Sequence, residues 1–217
     1  MKIGIFDSGK GGLSVFEEIK KVLPNEEYKY IGDSKNCPYG EKTDEELMII
    51  VRRIVDRLKN WGARIIVIAC NTATTKCIKG LRREYPELRF VGTEPAVKLA
   101  AKTGAKRILL MATPGTVESE RLNSLLKEAD KTNQRFKLLA CPGLADAIEA
   151  DKGVDEKLRE LLGNIKGRYD CVVLGCTHYS LIKDKIKVFF PNSEVIDGNL
   201  GVARRTKRLV ENLWKNE

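Results

Sequence analysis

Residues 65–72 read Ile65-Ile66-Val67-Ile68-Ala69-Cys70-Asn71-Thr72. Five apolar positions in succession, bounded by Ala63-Arg64 and by a polar turn, describe a strand buried on both faces, because a half-exposed strand would alternate. The preceding stretch reads differently. Ile49, Val51, Ile54, Val55 and Leu58 recur at helical spacing, and Trp61-Gly62 ends the pattern. A doubly buried strand between amphipathic segments implies a parallel sheet covered by helices on both faces. The strand ends in a thiol, and Asn71-Thr72 opens the next helix.

Outward from this stretch the same alternation continues. Strands are expected at 2–6, 28–32, 64–69, 89–91, 107–112, 136–140, 171–175 and 194–196. Helices are expected at 12–23, 44–61, 72–84, 95–102, 116–129, 143–150, 155–165, 179–189 and 198–214. In such folds ligands collect at the carboxyl ends of the strands. Those ends carry Asp7-Ser8-Gly9, Gly32-Asp33-Ser34, Cys70-Asn71-Thr72, Thr113-Pro114-Gly115-Thr116 and Cys176-Thr177-His178. Asp7 precedes Cys70 by as many residues as Thr113 precedes Cys176, and in each half a buried strand delivers a cysteine. The expected fold is therefore α/β, with two pseudo-symmetric lobes facing each other across a cleft that holds the site. Residues 1–92 form the first lobe, with 198–217 packing back on it. Residues 93–197 form the second, and Gly92-Thr93-Glu94-Pro95 marks the crossover.

Composition narrows the function classes. Of 217 residues, 42% are hydrophobic and 32% charged, an ordinary globular balance with no apolar run near the length of a membrane span. The start, MKIGIFDSGKGG, reads as a first strand and not as a secretory signal. The six cysteines include no CxxC, so free thiols in a reducing cytoplasm are expected. The net charge of +9 comes from 39 Lys and Arg spread among 30 acids, which reads as a solvated surface, and no nucleic-acid or membrane partner is called for.

Cys70 and Cys176 carry the chemical argument. Each sits where a helix begins, and helix N-termini favour a thiolate. Either one alone reads as easily as a small buried apolar side chain. The mirrored pair points to chemistry. His178, the one histidine, is placed to tune or relay the proton of Cys176. Cys171-x4-Cys176-x-His178 is unlike a zinc site, and no metal is expected. A carboxylate at the end of a central strand, as at Asp7, needs a partner or a cleft. Gly9-Lys10-Gly11-Gly12 lacks the spacing of a nucleotide-binding loop and instead lets backbone N–H groups approach an anionic substrate. Tyr39, in Pro38-Tyr39-Gly40, reads equally as a core cap or a site residue.

Six motifs in order resemble those of the Asp/Glu racemases, in particular the cofactor-independent glutamate racemases. They are Asp7-Ser8-Gly9-x-Gly11-Gly12-Leu13, Gly32-Asp33-Ser34 with Pro38-Tyr39-Gly40, Ala69-Cys70-Asn71-Thr72-Ala73, Glu94-Pro95-Ala96, Ala112-Thr113-Pro114-Gly115-Thr116, and Gly175-Cys176-Thr177-His178-Tyr179. The resemblance runs from Lys2 to about Asp197. It implies that Cys70 and Cys176 are the two acid/bases, assisted by Asp7, His178 and Glu149. It further implies that Asp7, Ser8, Tyr39, Gly40, Asn71, Thr72, Thr113, Thr177 and His178 hold or assist the substrate. No cofactor is implied, and a cytoplasmic homodimer supplying D-glutamate for peptidoglycan is. Lys10 and Ser180 depart from the family pattern, and a shortening falls between Glu149 and Tyr169.

The chemistry stands beside the name. Racemisation removes the α-proton from one face and delivers another to the opposite face. A thiolate and a thiol do this in either direction with roles exchanged, and pseudo-symmetric lobes supply equivalent groups on opposite faces. The alternatives are an aspartate or broad-specificity racemase, and more remotely a cysteine hydrolase with Cys176 attacking an acyl carbon. The hydrolase leaves the matching Cys70 unexplained.

Overall fold

A computed structural model describes residues 1–130 and 134–215. These divide into two compact units, the described residues of 1–94 with 199–215, and those of 95–198.

In the first unit, β1 (Lys2–Asp7), β2 (Glu27–Gly32), β3 (Ile65–Ile68) and β4 (Arg89–Gly92) form one parallel sheet in the order β2-β1-β3-β4. Side chains alternate across it. Ile3, Ile5, Ile65 and Val67 face α1 (Leu13–Val22) and the C-terminal helix, whereas Phe6, Ile66 and Ile68 join the core under α2 (Asp44–Asn60) and α3 (Asn71–Glu84). Both faces are covered, so the strands show continuous apolar runs. The start of α2 is fixed by a capping box: Thr43 Oγ1 accepts from the Glu46 amide and the Glu46 carboxylate from the Thr43 amide. Its buried stripe is Leu47, Val51, Ile54, Val55 and Leu58. Ile49, which the spacing places on that stripe, is exposed, and Leu47 takes its turn.

The second unit repeats the arrangement. β5 (Ile108–Ala112), β6 (Phe136–Ala140), β7 (Cys171–Leu174) and β8 (Glu194–Ile196) are parallel in the order β6-β5-β7-β8. Leu109 and Met111 face α7 (Leu144–Ala150) and α8 (Val154–Leu162), and Leu110 and Ala112 face α4 (Val97–Lys102) and α6 (Glu120–Ala129). Here two long helices expected from the sequence are broken. The 116–129 segment becomes α5 (Pro114–Val117) and α6, because Ser119 caps a new helix by accepting from the Leu122 amide. The 179–189 segment becomes α9 (Thr177–Leu181) and α10 (Lys183–Phe189), separated at Ile182.

The two fourth strands lead to helices that serve the other unit. α4, after β4, packs on α6; α11 (Asn199–Trp214), after β8, packs on α1 and β4. Val202, Ala203 and Val210 of α11 complete the first unit's core. No helix among the described residues is long and apolar enough to cross a membrane.

Candidate active site

Strand order fixes where each unit gathers its reactive groups. The first strand of each sheet connects to a neighbour on one side and then, through the next helix, to a third strand on the other. The chain reverses direction across the sheet between β1 and β3, and again between β5 and β7. Crevices form at the carboxyl ends of strands at such switch points. In the first unit the ends are Asp7 and Cys70, and in the second Thr113 and Cys176.

Strand pairing revises the equal spacing read from the sequence. Phe6 pairs with Ile68 and Met111 with Leu174, so the register equates Ser8, not Asp7, with Thr113. Asp7 corresponds to Ala112.

In the first unit Asp7 is fully buried. Its Oδ2 accepts from the Gly12 amide at 2.8 Å and, at a longer 3.4 Å, from the Gly9 amide. This loop needs glycine at 12, where an added Cβ would fall 2.6 Å from the Asp7 Cβ and 2.9 Å from the Ala69 Cβ. Tyr30 ties the loop down by donating its hydroxyl to the Gly9 carbonyl at 2.7 Å. Cys70 is the residue preceding α3, and its carbonyl accepts the Thr74 amide. Its position is set by a threonine cluster: the hydroxyls of Thr74 and Thr93 both donate to the Ile68 carbonyl.

Cys70 Sγ lies 3.9 Å from Ser8 Oγ, and the Thr72 and Ala73 amides point at the sulfur. The helix start was expected to favour the thiolate. Instead burial first, and the neighbouring Asp7 charge second, push the Cys70 thiol up to about 12, against the opposing amides and Ser8. Desolvation of the sulfur outweighs a few N–H groups, so Cys70 rests as a thiol.

Tyr39 is buried and donates its hydroxyl to Asp33 Oδ2 at 2.7 Å. Asn36 Nδ2 donates to both Asp33 oxygens at 2.9 Å. Burial and Asp33 raise the Tyr39 phenol far above its ordinary value, with smaller contributions from Cys70 and Asp7. Asp33 thus links the turn bearing Tyr39 and Gly40 to β1, whose Asp7 carbonyl accepts the Asp33 amide at 3.0 Å. Sequence reading placed Asp33 in a motif but gave it no role; its position at the end of β2 beside Asn36 was the available signal. Gly40 has open space where a side chain would begin. Asn71 and Thr72 are buried, and Asn71 Oδ1 has no hydrogen-bond partner among the described residues. A buried amide oxygen without a partner is costly unless a ligand donates to it.

In the second unit Cys176 precedes α9 as Cys70 precedes α3. Its sulfur lies 4.0 Å from His178 Nδ1, and His178 Nε2 lies 2.9 Å from Glu149 Oε2. His178 is buried, and Glu149, on α7, reaches it from the surface side. The carboxylate orients the ring and leaves Nδ1 toward the sulfur. Thr177 is buried between the two, and the Thr113 hydroxyl donates to the buried Thr116 hydroxyl at 3.0 Å. Cys171, at the start of β7, is far along the strand from Cys176. Among the described residues no group of three or more His, Cys, Asp or Glu is placed to hold a metal ion.

The structure thus brings Asp7, Ser8, Tyr39, Cys70, Asn71 and Thr72 to one strand-end cluster. Thr113, Glu149, Cys176, Thr177 and His178 belong to the other unit.

A family model described as Asp/Glu/Hydantoin racemase matches residues 3–206. The glutamate racemase of Clostridium novyi is 42% identical, over 98% of this chain and 85% of its own. That of Clostridium botulinum is 41% identical, over 96% and 83%. Among solved structures, Escherichia coli glutamate racemase in complex with L-glutamate and the activator UDP-MurNAc-ala superposes with a TM-score of 0.87 at 32% identity, covering 97% of this chain and 82% of that one. Picrophilus torridus aspartate racemase, at 19% identity and a TM-score of 0.63, shares the fold alone.

Proposed function

We propose, from the premise that this chain belongs to the Asp/Glu/hydantoin racemase family, that it interconverts L- and D-glutamate by a two-thiol transfer at Cα, without a cofactor, with Cys70 and Cys176 as the acid/bases. The observation that carries the reading is that each unit follows its third strand with a buried thiol that has an ionisable neighbour: the Asp7 charge for Cys70, and His178, held by Glu149, for Cys176. The E. coli relative's bound L-glutamate supports the choice of substrate.

In the forward direction one sulfur, as thiolate, takes the α-proton, so an S–H bond forms as the C–H bond breaks. The electron pair stays on Cα and delocalises into the α-carboxylate. The other thiol then gives its proton to the opposite face, and the leftover thiolate is the base for the reverse reaction. Cys70 rests protonated and is therefore ready as the acid. To act as the base it must first lose its proton, with Asp7 as the acceptor. The positive α-ammonium of the substrate favours that loss by stabilising the thiolate left on Cys70. His178, oriented by Glu149, does the same for Cys176. The buried Asn71 oxygen, as an acceptor, suits the α-ammonium. The amides and hydroxyls of Ser8, Gly40, Thr72, Thr113 and Thr177 suit the two carboxylates, whereas the Tyr39 hydroxyl is given to Asp33 and holds the turn that carries Gly40; donors at the α-carboxylate stabilise the charge that builds there.

D-glutamate made this way serves peptidoglycan synthesis in the cytoplasm, and the working assembly is a homodimer. Purified protein given L-glutamate alone should lose optical rotation to zero. Equal turnover of aspartate would instead favour the broad-specificity reading.

A further inference from the structure

We propose that the exposed face of α11 binds single-stranded nucleic acid through its phosphates, an activity independent of the racemisation reading. Helix α11 buries Val202, Ala203, Thr206 and Val210 and exposes Arg204, Arg205, Lys207 and Arg208. Four cations in five positions follow one another around a little under half of the helix circumference. Arg204 and Arg208 are one turn apart on the same side.

These four make no hydrogen bond or ion pair among the described residues, whereas several cations on other helices are paired. Arg52 meets Glu84 at 2.7 Å, Lys59 meets Glu87 at 2.5 Å, and Lys185 meets Asp155 at 2.8 Å. The acids packed nearby are few. On α1, Glu18 is occupied by Lys21 at 2.6 Å, and Glu17 is the second acid there. Glu211 is the one acid on α11 itself. An uncompensated, Arg-rich row matches a polyphosphate backbone, because guanidinium groups pair with phosphate oxygens in bidentate fashion.

Trp214 decides which polyanion fits. It is 61% exposed and lies two turns beyond Lys207 on the same side, a platform on which an unpaired base stacks. An anionic membrane fits less well. The apolar half of α11 is already used in the core, and its exposed apolar residues, Leu200 and Trp214, stand at opposite ends, so no continuous apolar face can insert.

The test uses the full chain with fluorescein-labelled oligothymidylate, read by anisotropy and by tryptophan fluorescence. Four phosphate contacts on a single strand predict an affinity that falls about 50-fold between about 50 and 200 mM salt. Arg204→Gln with Arg208→Gln should weaken binding about tenfold at low salt and halve the salt slope, leaving racemisation unchanged. Trp214→Phe should remove the fluorescence quench and weaken binding about fivefold or more. Binding that is absent, that survives the double substitution unchanged, or that appears with phosphatidylserine vesicles and not with the oligonucleotide would overturn the assignment.

Discussion

The two units share a strand order and a thiol position, yet they provide for the thiol in different ways. In the first, the ionisable neighbour is Asp7, the last residue of the central strand β1, held by the amides of its own loop. The register-equivalent residue in the second unit is Ala112, a buried methyl group. There the partner is His178, two residues beyond the thiol and oriented by Glu149 from another helix. The first unit has Thr72 at the position of His178. Topology alone sets the place of the sulfur, because any strand at the switch point ends there. The ionisable neighbour is not set by topology and reaches the sulfur from whichever element passes nearby.

That comparison breaks most sharply at the sulfurs. Cys70→Ser and Cys176→Ser should each lower kcat by about a thousandfold or more, a loss of at least about 4 kcal/mol in transition-state stabilisation, with melting little changed. Either variant retaining a tenth of kcat would remove that thiol from the mechanism.

At the next level the partners should separate by type. Asp7→Asn and His178→Asn are each expected to reduce kcat about a hundredfold with a smaller change in KM, as for lost acid–base assistance. A raised KM at unchanged kcat would make them substrate anchors. Glu149→Gln should cost about tenfold by itself and almost nothing in a His178→Asn background, because Glu149 acts through the ring; kinetics of the double variant read this directly.

Burial of thiols is common to both units and has a pH signature. Cys70, Cys77 and Cys141 are each pushed up to about 12, chiefly by burial, from an ordinary value near 9. A group raised on folding contributes its stability below its unfolded value and loses it as pH climbs toward the folded one. Unfolding free energy should therefore hold up to about pH 9 and then fall, by up to about 1.4 kcal/mol per pH unit for each thiol. Urea denaturation at a series of alkaline pH values checks this, and Cys70→Ser should flatten the fall by one thiol's share.

The smallest effect is expected at Tyr39→Phe. Asp33 keeps both bonds from Asn36, so the loss should be about 1 kcal/mol of stability, read as a modest fall in melting temperature. A loss several times larger would mean that the phenol supports more than its turn.

Much of this was legible in the sequence, for physical reasons. Doubly buried strands such as 65–68 announce themselves by unbroken apolar runs, and helices such as α2 by period and capping box. The thiols stood out because they follow those strands. What escaped was set by tertiary context. Ile182 gives no breaker signal at the α9–α10 break, and the exposure of Ile49 depends on what α2 packs against. The one-residue offset between Asp7 and Thr113 is visible only in strand register. The His178–Glu149 contact joins residues on separate helices, so it was reachable through family resemblance and not through local pattern. The Asp33–Tyr39 bond passes through a turn whose shape the sequence leaves open. The raised Cys70 thiol is a balance between desolvation and amides that only packing decides.

The central claim, that one thiol takes the α-proton and a different thiol returns one, is tested most directly by the isotope in the product. The protein is incubated with L-glutamate in D2O, and the enantiomers are separated at low conversion for mass spectrometry. Thiol protons exchange with solvent between turnovers, so early D-glutamate should carry deuterium at Cα while unreacted L-glutamate remains almost unlabelled. Early D-glutamate that retains protium at Cα would mean that a single base carries the proton across, and would contradict the two-cysteine account.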